Sequence, residues 1–156
     1  MTAKLTEGFD ELDKLFKEAG AAVSGKALRQ SVGFAVTPIV KEARANAPQG
    51  AEAHRTYKGR MVAPGFLSRN IGKKTFLSKG KNFASASVQP AGEAWYGKLF
   101  SSTVTRPFKT KSGTRSFPTD DFLAEAFDTK KDEVVRRFYG DIGKRLDKAL
   151  QKSRRK

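Results

Sequence analysis

The sequence predicts an α+β fold in which a small antiparallel sheet packs against N-terminal and C-terminal helices, with a long extended arm or loop. Apolar residues recur at helical spacing near both ends, and two short β-type segments lie in the middle. Two stretches have no period, residues 47–65 and 103–117. A chain of 156 residues suits one domain. We therefore predict a single domain over residues 1–150 and a disordered basic tail over residues 151–156.

Two helices are predicted before Pro48. The first has acids early and lysines late, as the helix dipole favours, and it ends at Gly20. Its apolar face consists of Phe9, Leu12, Leu15 and Phe16. The second begins near Ser24. Because Pro38 lies inside it and removes one backbone hydrogen bond, we expect a kink at residues 34–37.

In the middle of the chain, the sequence predicts a loop followed by a hairpin. Proline and glycine punctuate residues 47–65, which are predicted to form a long loop. Residues 66–71 fit one helical turn with apolar side chains towards the core. Residues 73–78 and 83–88 fit two strands, joined by the turn 79–82.

After the hairpin, the sequence predicts a protruding arm. Residues 92–100 fit a short helix or a third strand, and the spacing of their apolar residues favours the helix. Residues 103–108 have strand propensity, but Pro107 confines them to a sheet edge. The arm, 103–117, has too few apolar residues to bury itself, so we predict that it finishes folding on a neighbouring subunit. The predicted inter-subunit residues are Thr103, Val104, Thr105, Pro107 and Phe108.

A long helix is predicted at the C-terminal end. Thr119 or Asp120 is the predicted N-cap, and a second capping signal at residues 128–129 marks a candidate break. One apolar stripe continues at spacings of three and four. It consists of Val134, Val135, Phe138, Ile142, Leu146, Ala149 and Leu150.

The positive charge is concentrated in the middle of the chain. The formal net charge is +15, yet residues 1–54 hold seven basic and seven acidic residues. Residues 55–115 hold thirteen basic residues and one acid, and residues 116–156 hold eleven and eight. Repulsion within such a block disfavours a compact state unless an anionic partner lies opposite. Nucleic-acid phosphate and an acidic protein surface both fit, and both stay open.

Eight cations are the predicted contacts to DNA or to an acidic partner. They are Lys73, Lys74, Lys79, Lys81, Arg106, Lys109, Lys111 and Arg115. Phenylalanines lie between them, at Phe76, Phe83, Phe108 and Phe117. Aromatic side chains among cations can stack on unpaired bases. Because phenylalanine in short strands is more often buried, we expect these four in the core.

Nothing in the sequence predicts an enzyme, a cofactor or a metal site. There is no cysteine, His54 is the only histidine and is expected to be a solvated loop residue, and phosphate-loop patterns are absent. Asp120 and Asp121 open a helix, where carboxylates ordinarily act as caps. A nuclease or toxin would need acid–base groups that we do not find.

No apolar run approaches the roughly 20 residues of a membrane helix, and no secretory signal opens the chain. We therefore expect a protein used in a cytoplasm or built there into something larger.

Short motifs in a fixed order resemble a known family. Ala45-Asn46-Ala47-Pro48 ends the second helix, Gly65-Phe66-Leu67-Ser68-Arg69-Asn70-Ile71 precedes the two strands, and Trp95-Tyr96-Gly97 follows them. Phe122-Leu123-Ala124-Glu125-Ala126-Phe127-Asp128 then opens the last helix. This order resembles the tail-completion or head–tail joining (neck) proteins of long-tailed bacteriophages, of the minor tail protein Z-like and gene-product-ten-like kind. The resemblance covers residues 27–138 and rests on order and spacing.

The resemblance implies a structural virion protein. Such proteins are small α+β subunits without catalytic residues, which assemble as homo-oligomeric rings, expected to be hexamers. The ring would join the tail to the connector beneath the capsid, between connector or stopper proteins and tail terminator or tail tube proteins. It would surround a DNA channel, in a virion assembled in the host cytoplasm. The competing interpretation is a small basic nucleic-acid-binding protein that acts free of a virion.

Overall fold

The computed structural model describes residues 3–100, 108–110, 113–115 and 121–154, and it has the predicted α+β fold. Helices lie at both ends of the chain, and the strands form two-stranded sheets between them. The chain divides into two compact units. Unit 1 comprises Met1–Val36, Lys74–Ser87 and Asp132–Lys156, and unit 2 comprises Thr37–Lys73 and Val88–Lys131. The predicted single domain over residues 1–150 stays a prediction. Among the described residues, no helix is long and apolar enough to cross a membrane.

The N-terminal helices break where the sequence predicts. Helix α1 spans Ala3–Ala35, with a kink at Gly20 (φ 69°, ψ 159°). That combination of dihedral angles is essentially restricted to glycine, so Gly20 interrupts the helix. Helix α2 spans Thr37–Asn46 after an interruption at Val36, inside the predicted kink interval. Pro38 lies in the first turn of α2. Backbone N–H groups in a first turn have no acceptor within the helix, so the missing N–H of proline costs no hydrogen bond there.

The predicted loop before residue 65 contains a small ribbon that the sequence did not reveal. Strand β1, His54–Arg55, pairs antiparallel with β2, Met61–Val62, with His54 opposite Val62. The turn is closed by the Thr56 N–H, which donates to the Arg60 carbonyl at 2.8 Å. Strands of two residues are too short to show an alternating pattern. The predicted helical turn is confirmed as α3, Phe66–Arg69.

The predicted hairpin is confirmed, with each strand two residues longer at the end away from the turn and one residue shorter at the turn. Strand β3 spans Ile71–Leu77 and pairs with β4, Ala84–Pro90. The Ser78 N–H donates to the Phe83 carbonyl at 2.9 Å, and the Ala91 N–H donates to the Asn70 carbonyl at 2.9 Å. Both bonds fit one antiparallel register, in which the numbers of opposed residues sum to the same value. A ribbon without a bulge follows.

Residues 92–100 adopt the helical alternative rather than a third strand. A 3₁₀ turn spans Gly92–Ala94, and helix α4 spans Gly97–Phe100. In the arm, β5, Phe108–Thr110, pairs antiparallel with β6, Gly113–Arg115. The strand predicted over residues 103–108 lies outside the described residues except for Phe108.

Helix α5 spans Phe122–Arg154, and its start corrects the predicted cap. The Ala124 N–H donates to Asp121 Oδ1 at 3.0 Å, so the cap is Asp121 rather than Thr119 or Asp120. The candidate break at residues 128–129 does not form. Asp128 accepts from Lys131 Nζ at 3.1 Å instead of capping a backbone N–H. The helix also continues through residues 151–154, beyond the predicted start of the tail.

Each unit has its own packing. In unit 1, Ala27, Ile142 and Leu146 are buried, and Phe16, Leu28 and Phe138 pack against them. The Ser31 hydroxyl donates to Asp141 Oδ2 at 2.9 Å and joins α1 to α5. In unit 2, Arg44 Nε and Nη2 donate to the Ile71 carbonyl at 3.0 and 2.8 Å, and the Ser68 hydroxyl donates to the Arg44 carbonyl at 2.6 Å. These bonds fix the end of α2 against α3 and the start of β3.

Candidate functional site

The outer face of the β3–β4 hairpin is the candidate functional site. Ser78 lies opposite Phe83, and side chains two residues apart share a face, so Phe76, Phe83 and Lys74 lie on one side of the ribbon. We call these three residues, with Lys79 and Lys81 of the turn, the basic hairpin face. All five lie in unit 1.

The opposite face of the hairpin packs on α1. An added Cβ at Gly33 would come within 2.9 Å of Thr75 Cγ2, and one at Gly25 within 2.7 Å of Lys81 Cβ. Thr75 alternates with Phe76, so the phenylalanine points away from α1. The close approach therefore requires glycine at both helix positions. It leaves Phe76, Phe83 and Lys74 facing outward, whereas Lys81 lies with its Cβ against α1 although the residue as a whole is exposed.

The expected burial of these phenylalanines is wrong. Phe76 is 59% exposed and Phe83 is 57% exposed. The ribbon has only two strands, and only its inner face is covered by α1, so the aromatic side chains of its outer face stay in solvent. Because Phe76 lies opposite Ser85 in this register, the two phenylalanines are diagonal neighbours on that face.

The lysines of this face have no counter-charge among the described residues. Lys74, Lys79 and Lys81 are exposed, and each described salt bridge joins other residues. Lys73 differs from them. Its Nζ donates to Thr37 Oγ1 at 2.8 Å, in unit 2. Of the four predicted hairpin cations, the structure therefore places Lys74 on the same side as the exposed phenylalanines, and Lys79 and Lys81 in the exposed turn that joins the two strands.

The arm residues are described only in part. Lys109 lies opposite Thr114, and Phe108 lies opposite Arg115, in the β5–β6 ribbon of unit 2. The other predicted arm residues lie outside the described residues. They are Thr103, Val104, Thr105, Arg106, Pro107, Lys111 and, among the interleaved aromatics, Phe117.

Exposed acids and an exposed phenylalanine lie near the start of α5. Phe127 is 54% exposed, and Glu125 and Asp128 beside it are also exposed. Residues 121–133 hold five acids and two lysines, a net charge of −3. Glu125 and Asp128 are three residues apart and share one side of α5, whereas Phe127 lies two residues after Glu125 and points away from that acid. We call Glu125 and Asp128 the acidic helix face; both lie in unit 2. This pair was not predicted from the sequence, because residues 116–156 as a whole are net positive.

A cluster of rings in unit 2 was also missed. The rings of His54 and Tyr96 meet edge to face at 5.9 Å, and Phe66 lies 6.5 Å from His54. His54 Nε2 lies 3.4 Å from the Tyr96 hydroxyl, and burial raises the pKa of Tyr96. His54 is exposed, as expected, but it packs against rings rather than standing alone in solvent. A cavity of about 200 Å³ adjoins the cluster.

This ring cluster offers no catalytic set within the described residues. Its cavity is lined by Pro48, Gln49, Gly50, His54, Gly65, Phe66, Leu67 and Tyr96. That lining has no carboxylate to act as a base beside the histidine. No group of three or more His, Cys, Asp or Glu side chains gathers in the described part of the chain to hold a metal ion.

Comparisons with protein families, with curated proteins and with solved structures found no significant match to this chain.

Proposed function

We propose that this protein is a structural virion protein of a long-tailed bacteriophage that forms a ring at the head–tail interface and joins the tail to the connector. The observation that carries the proposal is the basic hairpin face. It holds two phenylalanines that are more than half exposed beside three lysines without a counter-charge among the described residues. Such a surface is typical of an interface that a partner covers.

The energetics favour a covered face. Burying an exposed phenylalanine side chain contributes about 1.5–3 kcal/mol. Lysines that gather without acids repel one another, and an anionic partner relieves that repulsion. A permanent assembly buries the phenylalanines and places an anionic surface beside the lysines, which supports a ring subunit over a protein that works alone.

The motifs that carry the family resemblance have structural roles in unit 2. Leu67, Ile71, Phe122 and Ala126 are buried, at 3%, 1%, 1% and 0% exposure. Gly97 lies against Leu67 and Pro90 so closely that a Cβ there would collide with both. Residues buried in this way determine how the helices and strands of unit 2 pack. Their roles here support a subunit of the family's α+β type.

In the proposed ring, the basic segments contact neighbours. Lys74, Lys79 and Lys81 meet DNA in the channel or an acidic protein surface. The arm, residues 103–117, reaches onto an adjacent subunit or ring. The proposal requires no catalytic residue, cofactor or metal ion, and it places the protein in the neck of the virion after assembly in the host cytoplasm.

Disruption of the gene in the phage genome that carries it tests the proposal. We expect electron microscopy of the lysate to show filled heads and complete tails that are not joined. Purified wild-type chain added to that lysate should restore joined, infectious particles. A chain lacking residues 104–115 should fail to restore them if the arm acts as proposed. Joined particles in the complete absence of the protein would overturn the proposal, as would a gene that lies outside any phage or prophage.

The second candidate function is nucleic-acid binding outside a virion. The exposure of Phe76 and Phe83 beside lysines favours it, because bases stack on exposed aromatic rings in grooves lined with cations. Filter binding of the isolated chain across a salt series separates the two functions. Phosphate contacts make affinity fall steeply as salt rises. Tight, salt-sensitive binding by the isolated chain supports the second function, whereas no binding together with restored head–tail joining supports the first.

A further inference from the structure

We propose that the basic hairpin face of one copy docks on the acidic helix face of the next copy. This inference rests on the homo-oligomeric ring proposed above and names the surfaces that close it. The contact pairs Lys74, Lys79 and Lys81 with Glu125 and Asp128, and it covers Phe76 and Phe83.

Charge complementarity is the first argument. The basic hairpin face has three exposed lysines and no acid, and residues 121–133 carry a net charge of −3. Asp128 is held by Lys131 at 3.1 Å, but both side chains are more than half exposed, at 69% and 53%. Exposed pairs of this kind contribute little to stability, so Asp128 can exchange that partner for an incoming lysine.

The aromatic residues supply the second argument. Phe76 and Phe83 are neighbours on the hairpin, and both are more than half exposed. The hairpin face therefore has an apolar centre beside its lysines. Interfaces are commonly built in this way, with desolvated aromatic anchors inside a polar rim.

The two faces differ, and this difference determines the symmetry of the contact. A two-fold contact of hairpin face on hairpin face would set lysines against lysines, which costs affinity. A contact between unlike faces is head-to-tail, and such contacts close into rings when the rotation between subunits allows it. The inferred contact is therefore of the kind that a neck ring requires.

Two other occupants of the hairpin face are outcomes of the test. Nucleic acid would use the same lysines and phenylalanines. Acids also gather at residues 7–13, which hold four carboxylates and no cation. The helix face of α5 is preferred because Glu125 and Asp128 are both exposed and lie on one side of the helix.

A charge-swap experiment on the full-length chain tests the contact. The hairpin-reversed variant carries Lys74→Glu and Lys79→Glu, and Lys81 is left unchanged because its backbone has a positive φ of 59°. The helix-reversed variant carries Glu125→Lys and Asp128→Lys. A control carries Lys144→Glu and Lys148→Glu, two exposed lysines elsewhere on α5 with the same change in charge as the hairpin-reversed variant.

Sedimentation at near-physiological salt gives the readout. We expect wild type and control to assemble and each reversed variant to associate at least tenfold more weakly, because like charges then face each other. An equimolar mixture of the two reversed variants should regain the assembled mass. In that mixture, the acids on one hairpin meet the lysines on the other helix.

Several results would overturn the inferred contact. A wild-type chain that stays monomeric would do so, as would reversed variants that keep the wild-type mass, or that dissociate and stay apart when mixed.

Loss of mass on reversal of Glu7 and Asp10, but not of Glu125 and Asp128, would assign the hairpin face to residues 7–13. Loss of DNA retention by the hairpin-reversed variant without loss of mass would assign it to nucleic acid. Head–tail joining is a separate readout, so reversed variants that keep their mass and still restore joining would refute this contact and leave the proposed function intact.

Discussion

Gly25 lets the turn of the hairpin rest directly on α1. An added Cβ would lie 2.7 Å from Lys81 Cβ and 2.9 Å from the Lys81 carbonyl oxygen. The carbonyl belongs to the backbone, and Lys81 already has a positive φ of 59°, so the turn cannot easily retreat. A single hydrogen atom in place of a side chain thus positions the candidate site.

Gly25→Ala should destabilise the protein. Overpacking costs about 1–3 kcal/mol, which outweighs the gain of up to about 1 kcal/mol in helix propensity. Gly140→Ala is the matched control, since Gly140 lies in α5 with nothing within 4 Å of an added Cβ. Urea unfolding should show a lower free energy of unfolding for Gly25→Ala and an unchanged or higher one for Gly140→Ala. Equal stabilities for the two variants would contradict the close contact.

Asp121→Ala should cost about 1 kcal/mol of stability, because the Ala124 N–H loses its capping oxygen. Asp121→Asn is the control, since asparagine caps as well as aspartate. Urea unfolding of both variants distinguishes the cap from the charge. If Asn is as damaging as Ala, the negative charge at the helix N-terminus carries the effect.

For single residues, the sequence predicts the type of residue that caps a helix better than it predicts the position of that residue. A capping carboxylate at the start of the last helix was predictable, but Thr119, Asp120 and Asp121 offer three candidate caps in succession. Only the backbone path selects Asp121. The contacts of Gly25 and Gly33 with the hairpin were not predictable, because they join residues more than 40 positions apart in the chain.

The hairpin is the element whose two faces differ most. Its existence and turn were predicted from β-branched and aromatic residues around a lysine–glycine turn. Which face would be covered was not, because Leu77 and Phe76 put apolar side chains on opposite faces. The packing of α1 on the Thr75 side decides that Phe76 and Phe83 are exposed.

Phe76→Ser and Phe83→Ser should each change the free energy of unfolding by less than about 1 kcal/mol, because exposed side chains contribute little to folding. Ile71→Ala in the same strand should cost about 2–5 kcal/mol, because Ile71 is 1% exposed. Thermal or urea unfolding of the three variants checks the assignment of faces. A loss of several kcal/mol in Phe76→Ser would contradict an outward phenylalanine.

The long helices and the breaks near Gly20 and Pro38 were the most predictable features, whereas the predicted break at residues 128–129 is absent from α5. Gly20 and the interval before Pro38 interrupt the N-terminal helices for reasons that are local to the backbone. The β1–β2 ribbon was missed for the opposite reason. Its two-residue strands depend on the buried Val62 and on the turn between Thr56 and Arg60, which no local period reveals.

For the whole molecule, the uneven charge was the most informative feature of the sequence. It identified Lys74, Lys79 and Lys81 as candidate contacts, and the structure leaves all three exposed. The complementary acids of α5 were not identified, because residues 116–156 as a whole are net positive. A local excess of acid within a basic region becomes visible only when exposure is known.

We propose that the basic hairpin face is covered by another subunit. Hydroxyl-radical footprinting of Phe76 and Phe83, in the dilute chain and in the assembled chain, measures this coverage. We expect several-fold protection of both phenylalanines on assembly, and loss of that protection when Lys74→Glu and Lys79→Glu are introduced. Equal oxidation of both side chains in the dilute and assembled states would contradict it.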